Sequence, residues 1–509
     1  MKNLVFLCGT LLSGSLLFSQ NIGDGLRYST EQNTGTARYT ALSGAMGALG
    51  NDYSAINVNP AGSAVFLKSN LMFSTTLFDV ENKTDYFNHR ENSFSDETGI
   101  NQFGGVFVID NTKEQAILKK ITIGLNFNTT KSFDDEIYSQ GMGNKSIGNF
   151  FLEQAQGIPL SQLQLQSGET ISSRYNYLGQ SQGSQFQNAF LGYQAFLFDP
   201  LEPNNPSNSS YVSNLAGSQF NQEYLQLSQG NQSKFSLNIA SQIGNNFFIG
   251  ANLNTHTLNF EQSSYLRETN NNTNSKIKNI GFENNLSVYG VGISAQIGAI
   301  AKIASNFRLG LSFDSPTWLQ ISEETSQYLE SKYVFNGETL FNQIDPAIIN
   351  VYEDYNLRTP AKLSVSAAYI FGQKGLISFD YSYKDFSTIK FSELNNSYSP
   401  YFSALNQTIQ NNLKGASSFK AGGEYRIGQL SLRGGFHFEE SPYNKPNIVE
   451  ELIGFSGGLG YNFGRLNANI AYSRSEQNRN QQLYSIGLTD SAEIKSVYNT
   501  FVFSLGLDF

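Results

Sequence analysis

Apolar and polar residues alternate in many short segments of this chain. In the final segment, VYNTFVFSLGLDF (497–509), every second residue from Phe501 to Phe509 is apolar, and the residues between are mostly polar or small. The same alternation recurs in FRLGLSF (307–313), KLSVSAAYIF (362–371) and QLSLRGGFHFE (429–439). A period of two residues is typical of β-strands with one apolar and one polar face. The chain is therefore predicted to be an all-β protein.

The alternating segments predict about fourteen antiparallel strands. We place them near residues 70–79, 101–109, 120–130, 232–242, 246–260, 284–299, 305–322, 361–371, 375–387, 416–427, 429–439, 453–463, 465–475 and 497–509. An even number of strands is typical of a closed single-chain barrel in the bacterial outer membrane.

The connections between these strands alternate in length. Short turns such as IGNN (243–246), FGQKG (371–375) and FGR (463–465) separate long connections. The long connections lie near 80–100, 131–231, 261–283, 323–360, 388–415, 440–452 and 476–496. Because outer-membrane barrels have short periplasmic turns and long extracellular loops, this alternation predicts such a barrel with both termini periplasmic. A soluble β-sandwich or jelly roll is the alternative, but it does not require the alternation of loop lengths.

The start of the chain and its composition agree with export to a membrane. Residues 1–20, with Lys2 followed by an apolar run, are predicted to be a secretory signal peptide that contains Cys8, the only cysteine. The rest of the chain therefore cannot form a disulfide framework or a thiolate metal site. No later stretch is long and apolar enough for a transmembrane helix, so a membrane protein of this composition would have to be a closed barrel. The net charge of −9 argues against a nucleic-acid partner.

The stretch GALGNDYSAINVNPAG (47–62) precedes the first predicted strand and has a different character. Its glycines, asparagines and proline break up both helix and strand patterns, yet apolar residues recur through it. A wide barrel has an open lumen unless something fills it. Glycines allow tight turns and close backbone approach, and a proline makes one turn rigid. Residues 21–69 are therefore predicted to form a compact plug inside the barrel formed by residues 70–509.

Several stretches resemble one family of outer-membrane proteins. TGTARYTALSGAMGALGNDYSAINVNPAGSAVF (34–66) resembles the N-terminal hatch of FadL/OmpP1-type transporters of hydrocarbons and long-chain fatty acids, in the form found in Bacteroidetes. Its most specific part is the triplet Asn59-Pro60-Ala61. LRTPAKLSVSAAYIF (357–371), LISFDYSYKDFS (376–387) and SFKAGGEYRIGQLSLRGGF (418–436) fit the same family. The resemblance implies a fourteen-stranded transmembrane barrel with the hatch in its lumen, in the outer membrane of a Gram-negative bacterium.

The resemblance also implies a function for particular residues. The channel would take up hydrophobic small molecules passively, with a hatch that gates it and release sideways into the membrane. The hatch residues implied in gating are Gly47, Gly50, Asn59, Pro60 and Ala61. Arg38 in the hatch is the candidate partner of a fatty-acid carboxylate, with a salt bridge between plug and wall as the alternative. Phe509 ends a strand that resembles the signal read by the outer-membrane assembly machinery.

The predicted long connection at 131–231 contains clusters of apolar residues within a polar background. Six aromatic residues are candidates for an extracellular apolar groove that captures ligand: Phe150, Phe151, Phe186, Phe190, Phe196 and Phe198. The alternative is that these side chains only pack the loop against itself.

Patterns of catalytic and metal-binding residues are missing from the sequence. His89, His256 and His437 are far apart and lack metal-ligand spacing, and there is no nucleophile elbow, P-loop or metalloprotease motif. Charges at lumen-facing positions, such as Arg433 and Glu424, are expected to be solvated or mutually paired. We therefore expect neither an enzyme nor a cofactor or metal.

The expected partners are a hydrophobic small molecule, outer-membrane lipid and the assembly machinery, with the protein itself a monomer. A porin for polar solutes is one alternative function, although the hatch argues against it. A FadL-like accessory barrel that holds a protein in secretion is a second alternative. A lipase-type enzyme is a third, and only His437 lies at a position that could serve it.

Overall fold

A computed structural model describes residues 20–113, 115–395 and 397–509 of the chain. The predicted signal peptide and Cys8 lie outside the described residues, apart from Gln20 at its end.

Fourteen strands form the wall of a barrel. They are β1 (Asn70–Tyr86), β2 (His89–Asp110), β3 (Leu118–Ser132, continued by Asp135–Gly143), β4 (Phe220–Ile243), β5 (Phe247–Thr269), β6 (Ile277–Lys302), β7 (Phe307–Asp314, continued by Trp318–Phe335), β8 (Tyr355–Arg358, continued by Lys362–Ile370), β9 (Gly375–Asp385, continued by Lys390–Glu393), β10 (Gly415–Ile427), β11 (Leu430–Glu439), β12 (Leu452–Asn462), β13 (Leu466–Gln482) and β14 (Ser491–Asp508). Short strands outside the wall are Phe198–Pro200, Tyr211–Ser213, Glu338–Ile344 and Asn350–Val351.

The wall is a closed antiparallel barrel. Each strand pairs with the next one in the chain, and β1 pairs with β14 from Asn70↔Asp508 to Asp85↔Glu493. Closure leaves no sheet edge between the first and last strands. The prediction of a fourteen-stranded antiparallel barrel is confirmed.

Side chains of the wall alternate between the two faces as the pattern predicts. On β14, Phe501 and Phe503 are 46% exposed on the outer face, whereas Val502 and Ser504, which alternate with them, are buried. The inner face carries mostly small or polar side chains, which leaves room for polypeptide inside the lumen.

The strands extend further toward the long-loop end than the sequence predicts. Residues 80–100, predicted as a loop, form most of a hairpin between β1 and β2 that turns at Phe87 and Asn88, both with positive φ. Likewise, β3 continues to Gly143 and β4 begins at Phe220, so the predicted loop at 131–231 is shorter than expected. These extensions are rich in polar residues on both faces, so they lack the apolar alternation that reveals a strand.

Two neighbouring strands are interrupted at the same level by prolines. β7 breaks at Pro316 and β8 breaks at Pro360, where proline cannot donate a ladder hydrogen bond. The backbone N–H of Thr359 donates to the carbonyl of Thr317 at 3.0 Å across the break. The wall therefore stays closed here despite the two prolines.

The N-terminal segment folds inside the barrel as short helices: α1 (Ile22–Ser29), α2 (Ala37–Ala41), α3 (Tyr53–Val58) and a 3₁₀ helix (Pro60–Val65). We call residues 20–69 the hatch. The stretch 47–62, predicted to be irregular, contains α3 and the start of the 3₁₀ helix. The sequence pattern looks broken because two short helices begin within this stretch. Asp52 caps α3, and Asn59 caps the 3₁₀ helix, which begins at Pro60.

The hatch begins higher in the lumen than predicted. The sequence suggested that it starts at the end with short turns, yet Gln20 is buried beside Glu323 and Tyr401, far along the strands from that end. The segment then descends to Ser69, whose carbonyl accepts a hydrogen bond from the Phe509 N–H. The alternation of loop lengths could not reveal where the hatch begins, because it concerns only the strands of the wall.

Helices also cover the end of the barrel that carries the long loops. The connection between β3 and β4 contains α4 (Gly148–Ala155), α5 (Leu160–Leu163), α6 (Ile171–Gln182) and α7 (Ser184–Gln194). We call this connection, residues 144–219, the cap. α8 (Pro400–Asn412) lies between β9 and β10. None of the described helices is both long and apolar enough to span a membrane.

Candidate functional site

The side chain of Asn59 joins the hatch to two wall strands. Its Nδ2 donates to the carbonyls of Gly47 at 2.9 Å and Ala299 of β6 at 3.0 Å, and its Oδ1 accepts from the Ala61 N–H at 3.1 Å. The next carbonyl, of Pro60, accepts from Asn238 Nδ2 on β4 at 3.0 Å. The triplet that carried the family resemblance is therefore a fixed contact between hatch and wall.

Two hatch glycines lie where a side chain has no room. The Gly47 N–H donates to Asp380 Oδ2 of β9 at 2.8 Å, and a Cβ there would lie 2.1 Å from Ser366 Oγ. Gly50 has a φ of +63° and packs against the Gly62 backbone. Both of these predicted residues are needed for close backbone approach.

Glycines of the wall leave space for the residues of the hatch that pack against them. A Cβ at Gly250 of β5 would lie 2.5 Å from the Pro60 carbonyl group, and one at Gly310 of β7 would lie 2.5 Å from the Gly47 oxygen. The wall glycines that face the hatch backbone or side chains in this way are Gly250, Gly298, Gly310, Gly422, Gly435 and Gly458. The hatch thus fits into a ring of small residues.

Arg38 is tied to the wall rather than facing a ligand space. Its Nε lies 3.0 Å from Glu424 Oε2 on β10, and Glu424 also pairs with Arg426 at 2.6 Å and Arg433 at 2.8 Å. The Glu424 side chain is fully buried. Arg38 does not line the large cavity described below. The alternative reading, a salt bridge between plug and wall, is the arrangement present.

The aromatic residues of the cap do not form an open groove. Phe150, Phe151, Phe190 and Phe198 are buried in one apolar cluster, against which Phe186 also packs. The Phe151 ring lies 4.8 Å from the Phe282 ring of β6, so the cluster joins the cap to the wall. Phe196 alone of the six is exposed. Most of these side chains are therefore packed within the cap and against the wall, and a role of the six residues in ligand capture stays a prediction.

A cavity of about 560 Å³ lies between the hatch and the wall. This volume is in the range of small-molecule sites. Apolar side chains from opposite parts of the wall line it, among them Phe78, Ile137, Phe260 and Tyr443, together with Leu26 of the hatch. Sequence reasoning missed these residues, because they belong to separate strands and share no local pattern.

One group of charged side chains in the cavity lining contains three lysines and a carboxylate of the hatch. Lys234, Lys362 and Lys384 come from β4, β8 and β9, and Glu31 comes from the hatch. Glu31 Oε2 lies 3.4 Å from Lys362 Nζ and 3.8 Å from Lys384 Nζ. The Lys362 and Lys384 ammonium groups hold the pKa of Glu31 well below its usual range, so Glu31 is an anion at neutral pH. The cavity thus combines apolar surface with a charged patch.

The wall beside this cavity is incomplete. The ladder between β2 and β3 runs only from Asp110↔Lys120 to Gln102↔Asn128. Beyond that rung, among the residues that the structure describes, β2 residues 89–101 and β3 from Thr129 onward form no ladder with each other. Side chains bridge the gap, as where Thr129 Oγ1 donates to the Ile100 carbonyl at 3.2 Å. We call this interrupted part of the wall the seam.

The hatch occupies the free edge of β3 in the seam. The Gln32 N–H donates to the Thr130 carbonyl at 2.9 Å, and Thr34 Oγ1 donates to the Thr129 carbonyl at 2.9 Å. The Gln32 side chain also accepts from the Ser132 N–H at 2.9 Å. On the other side, Asn101 of β2 donates to the Gly35 carbonyl. Residues 32–35 thus take the place of the missing rungs.

Further out along the seam, β3 lies against the inner face of the β1–β2 hairpin. Asn82 Nδ2 of β1 donates to the Glu136 carbonyl at 2.7 Å and to Asp135 Oδ1 at 2.5 Å. Asp135 also pairs with Arg479 of β13 at 3.2 Å. The exposed edge of β3 is therefore capped by side chains rather than by a neighbouring strand.

The remaining predicted site residue is Phe509. Its ring is 56% exposed on the outer face, 6.2 Å from the Phe107 ring. Its role as an assembly signal stays a prediction. Within the described ranges, no group of histidine, cysteine or acidic residues has the arrangement of a metal site.

A family comparison assigns the barrel. The model for outer membrane protein transport proteins (OMPP1/FadL/TodX) matches residues 206–482, which is more than half of the chain. The chain belongs to this family. The matched range covers β4 to the end of β13, whereas the hatch lies before it. Members of the OMPP1/FadL/TodX family are outer-membrane transport proteins, so the outer-membrane location is established and the expectation that the chain is not an enzyme is confirmed.

Solved structures of the OMPP1/FadL/TodX family have the same fold. A FadL homologue from Pseudomonas aeruginosa gives a TM-score of 0.52 at 13% identity, covering 94% of this chain and 100% of that one. The toluene transporter TodX of P. putida gives 0.51 at 13% identity, covering 94% of this chain and 99% of that one. No curated protein sequence matches the chain.

Proposed function

We propose that the protein is a passive channel that takes up hydrophobic small molecules, such as long-chain fatty acids or hydrocarbons. The observation that carries the proposal is the partly apolar cavity, which touches the hatch on one side and the seam on another. Transfer of an apolar molecule from water into such a cavity is favourable by roughly 25 cal/mol per Å² of apolar area buried. Binding therefore needs no coupled energy source.

The seam supports sideways release into the membrane. A hydrophobic molecule that crossed the whole lumen would have to pass the hatch and the charges around Glu424. At the seam, side chains and hatch residues 32–35 take the place of ladder hydrogen bonds between β2 and β3. Displacement of these residues would open a route from the cavity to lipid. The long loops would be extracellular, and the ligand would be captured at that end of the barrel.

The fixed contacts of the hatch support its role as the gate. Asn59 and the Gly47 N–H hold it to β6 and β9, so an opening must break or bend these contacts. Gly47, Gly50, Asn59, Pro60 and Ala61 would then set how readily the gate moves.

Bound ligand in the purified protein tests the proposal. Native mass spectrometry and lipid extraction of the detergent-purified barrel should show fatty acid or hydrocarbon in the wild type. The Asn59→Ala variant should retain less, because the hatch side of the cavity is loosened. Asn411→Ala, an exposed change on α8, is the matched control and should behave as the wild type. A barrel without bound hydrophobic molecule, and unable to take one up, would contradict the proposal.

One surface feature favours a second function, an accessory barrel that holds a protein. The hairpin formed by Trp318–Phe335 and Glu338–Ile344 exposes Phe335 and Phe341 at 60% and 58% near its tip. Exposed apolar patches often mark contact sites for other proteins. In the same mass-spectrometry experiment, an empty barrel bound to one defined protein would favour this function.

A further inference from the structure

Lys234 is a largely buried charged residue of the cavity lining. Its side chain is only 8% exposed and lines the cavity from β4. Among the residues that the structure describes, none forms an ion pair with its amine or accepts a hydrogen bond from it. The amine lines the cavity, so it is placed to receive an anionic group from a ligand.

The hatch already places one carboxylate whose charge acts on this amine. Glu31 contacts Lys362 and Lys384, while Lys362 keeps a second partner in Asp314 at 2.8 Å. The Glu31 side chain is 38% exposed to the cavity, so a molecule within the cavity can reach it. Glu31 is thus an accessible anion at a site formed by three lysines of the wall.

Glu31 is directly followed by the residues that fill the seam. Gln32 donates to the Thr130 carbonyl and accepts from the Ser132 N–H, and Thr34 follows along the same edge. The lysine contacts and the first seam contacts are therefore made by adjacent residues. A shift of Glu31 therefore moves Gln32 before the other residues that fill the seam.

We propose that Glu31 occupies the position of a ligand carboxylate, and that a carboxylate-bearing amphiphile replaces it at Lys234, Lys362 and Lys384, which frees residues 32–35 from the seam. The inference rests on the proposed function and names its substrate class. The apolar lining around Leu26, Phe133 and Phe260 receives the hydrocarbon chain. A neutral hydrocarbon binds the same apolar lining but has no group that exchanges with Glu31.

A pair of probes that differ only in charge tests the exchange. We would measure the affinity of the full-length barrel in nanodiscs for palmitic acid and for methyl palmitate. Lys234→Met should weaken binding of the acid about tenfold, in line with the loss of one charge-assisted hydrogen bond. Glu31→Gln should strengthen binding of the acid, since the competing carboxylate is gone. Neither variant should change the affinity for the ester by more than about twofold.

Matched variants separate this effect from a general change of charge. Glu283→Gln removes a part-buried carboxylate of β6 that does not line the cavity, and Lys374→Met removes an exposed lysine of the turn after β8. Both should bind the acid as the wild type does. Migration of the unheated protein in gel electrophoresis confirms that every variant is folded.

Hydrogen exchange of the seam tests the second half of the proposal. The Gln32 amide is held by Thr130, so its exchange should speed up when palmitic acid binds and stay unchanged with the ester. In Glu31→Gln, exchange at Gln32 should already be fast without ligand.

The outcomes distinguish this inference from the proposed function. Equal binding of acid and ester, unchanged in both variants, would overturn the exchange and leave the uptake channel standing. Faster exchange at Gln32 with the ester as well as with the acid would overturn the carboxylate trigger. If neither probe binds the wild type, the exchange and the proposed function both fail.

Discussion

Glu424 is the wall residue that pairs with Arg38 of the hatch. It is fully buried and pairs with Arg38 of the hatch and with Arg426 and Arg433 of the wall. One carboxylate is thus shared among three guanidinium groups, and its removal leaves the largely buried Arg38 and Arg433 without their counter-charge.

The variant Glu424→Gln should therefore destabilise the barrel. Loss of one partner from a buried ion pair typically costs about 3–5 kcal/mol. The free energy of unfolding in urea measures this loss. As a control, Glu476→Gln removes a carboxylate that pairs with Arg474 and Lys495 on an exposed surface, where about 1 kcal/mol or less is expected. Equal losses in the two variants would show that the buried cluster does not hold the hatch.

The contacts of some residues could be predicted from the sequence, whereas the contacts of others could not. Asn59, Pro60 and Gly47 could be predicted as a hatch contact, because their types and spacing form a local motif. The partner of Arg38 could not be predicted, since Glu424 is distant in the chain and only the barrel brings them together. The same holds for Glu31 and Lys234, which belong to separate elements without a shared pattern.

The cap is an element whose aromatic residues maintain its own packing. Phe151 is fully buried and contacts Phe282 of β6, whereas Phe196 is 47% exposed. Phe151→Ala should cost about 3–5 kcal/mol of stability, because it leaves a cavity in the cluster. Phe196→Ala should change stability by no more than about 0.5 kcal/mol.

Thermal unfolding of the two cap variants checks this prediction. If Phe151→Ala left the unfolding temperature unchanged but reduced ligand capture, the cap would be a binding groove after all.

The hatch is an element that depends on close fit against the wall glycines. A Cβ at Gly250 meets the Pro60 backbone at 2.5 Å, and that backbone cannot rotate away. Gly250→Val should therefore displace the hatch and raise the ion conductance of the barrel in planar bilayers. Gly423→Val on β10, where the nearest atom to a Cβ is 3.9 Å away, should leave conductance low. High conductance in both variants, or in neither, would mean that the glycine ring does not seat the plug.

Elements could be predicted from the sequence wherever an apolar outer face exists. All fourteen strands show alternation in the part of the wall that carries exposed aromatic and aliphatic residues. Above that part, strands such as the end of β1 have polar residues on both faces, and the pattern disappears. The helices of the hatch were missed because each is short and the chain between them is rich in glycine.

At the scale of the whole molecule, the alternation of loop lengths was enough to predict a closed barrel. The seam could not be predicted, because it depends on where the ladder between β2 and β3 stops rather than on composition. The cavity, the hatch segment 32–35 and the seam lie next to one another only in the folded molecule. Their arrangement carries the proposed route from the cavity to the membrane.

The central claim is that ligand leaves through the seam, and locking the seam tests it most directly. Glu97 of β2 accepts a hydrogen bond from Ser132 of β3 across the gap. Since the only natural cysteine is Cys8, cysteines can be placed at both positions and joined by a short thiol-reactive cross-linker. The control joins Val365→Cys to Tyr381→Cys, which face each other in the intact ladder of β8 and β9.

The measurement is uptake of a labelled fatty acid into cells that carry each cross-linked barrel. We predict that the lock between positions 97 and 132 abolishes uptake while ligand still binds, and that cleaving the cross-link restores it. The control lock should leave uptake unchanged. Uptake at the wild-type rate through a barrel with a locked seam would contradict sideways release.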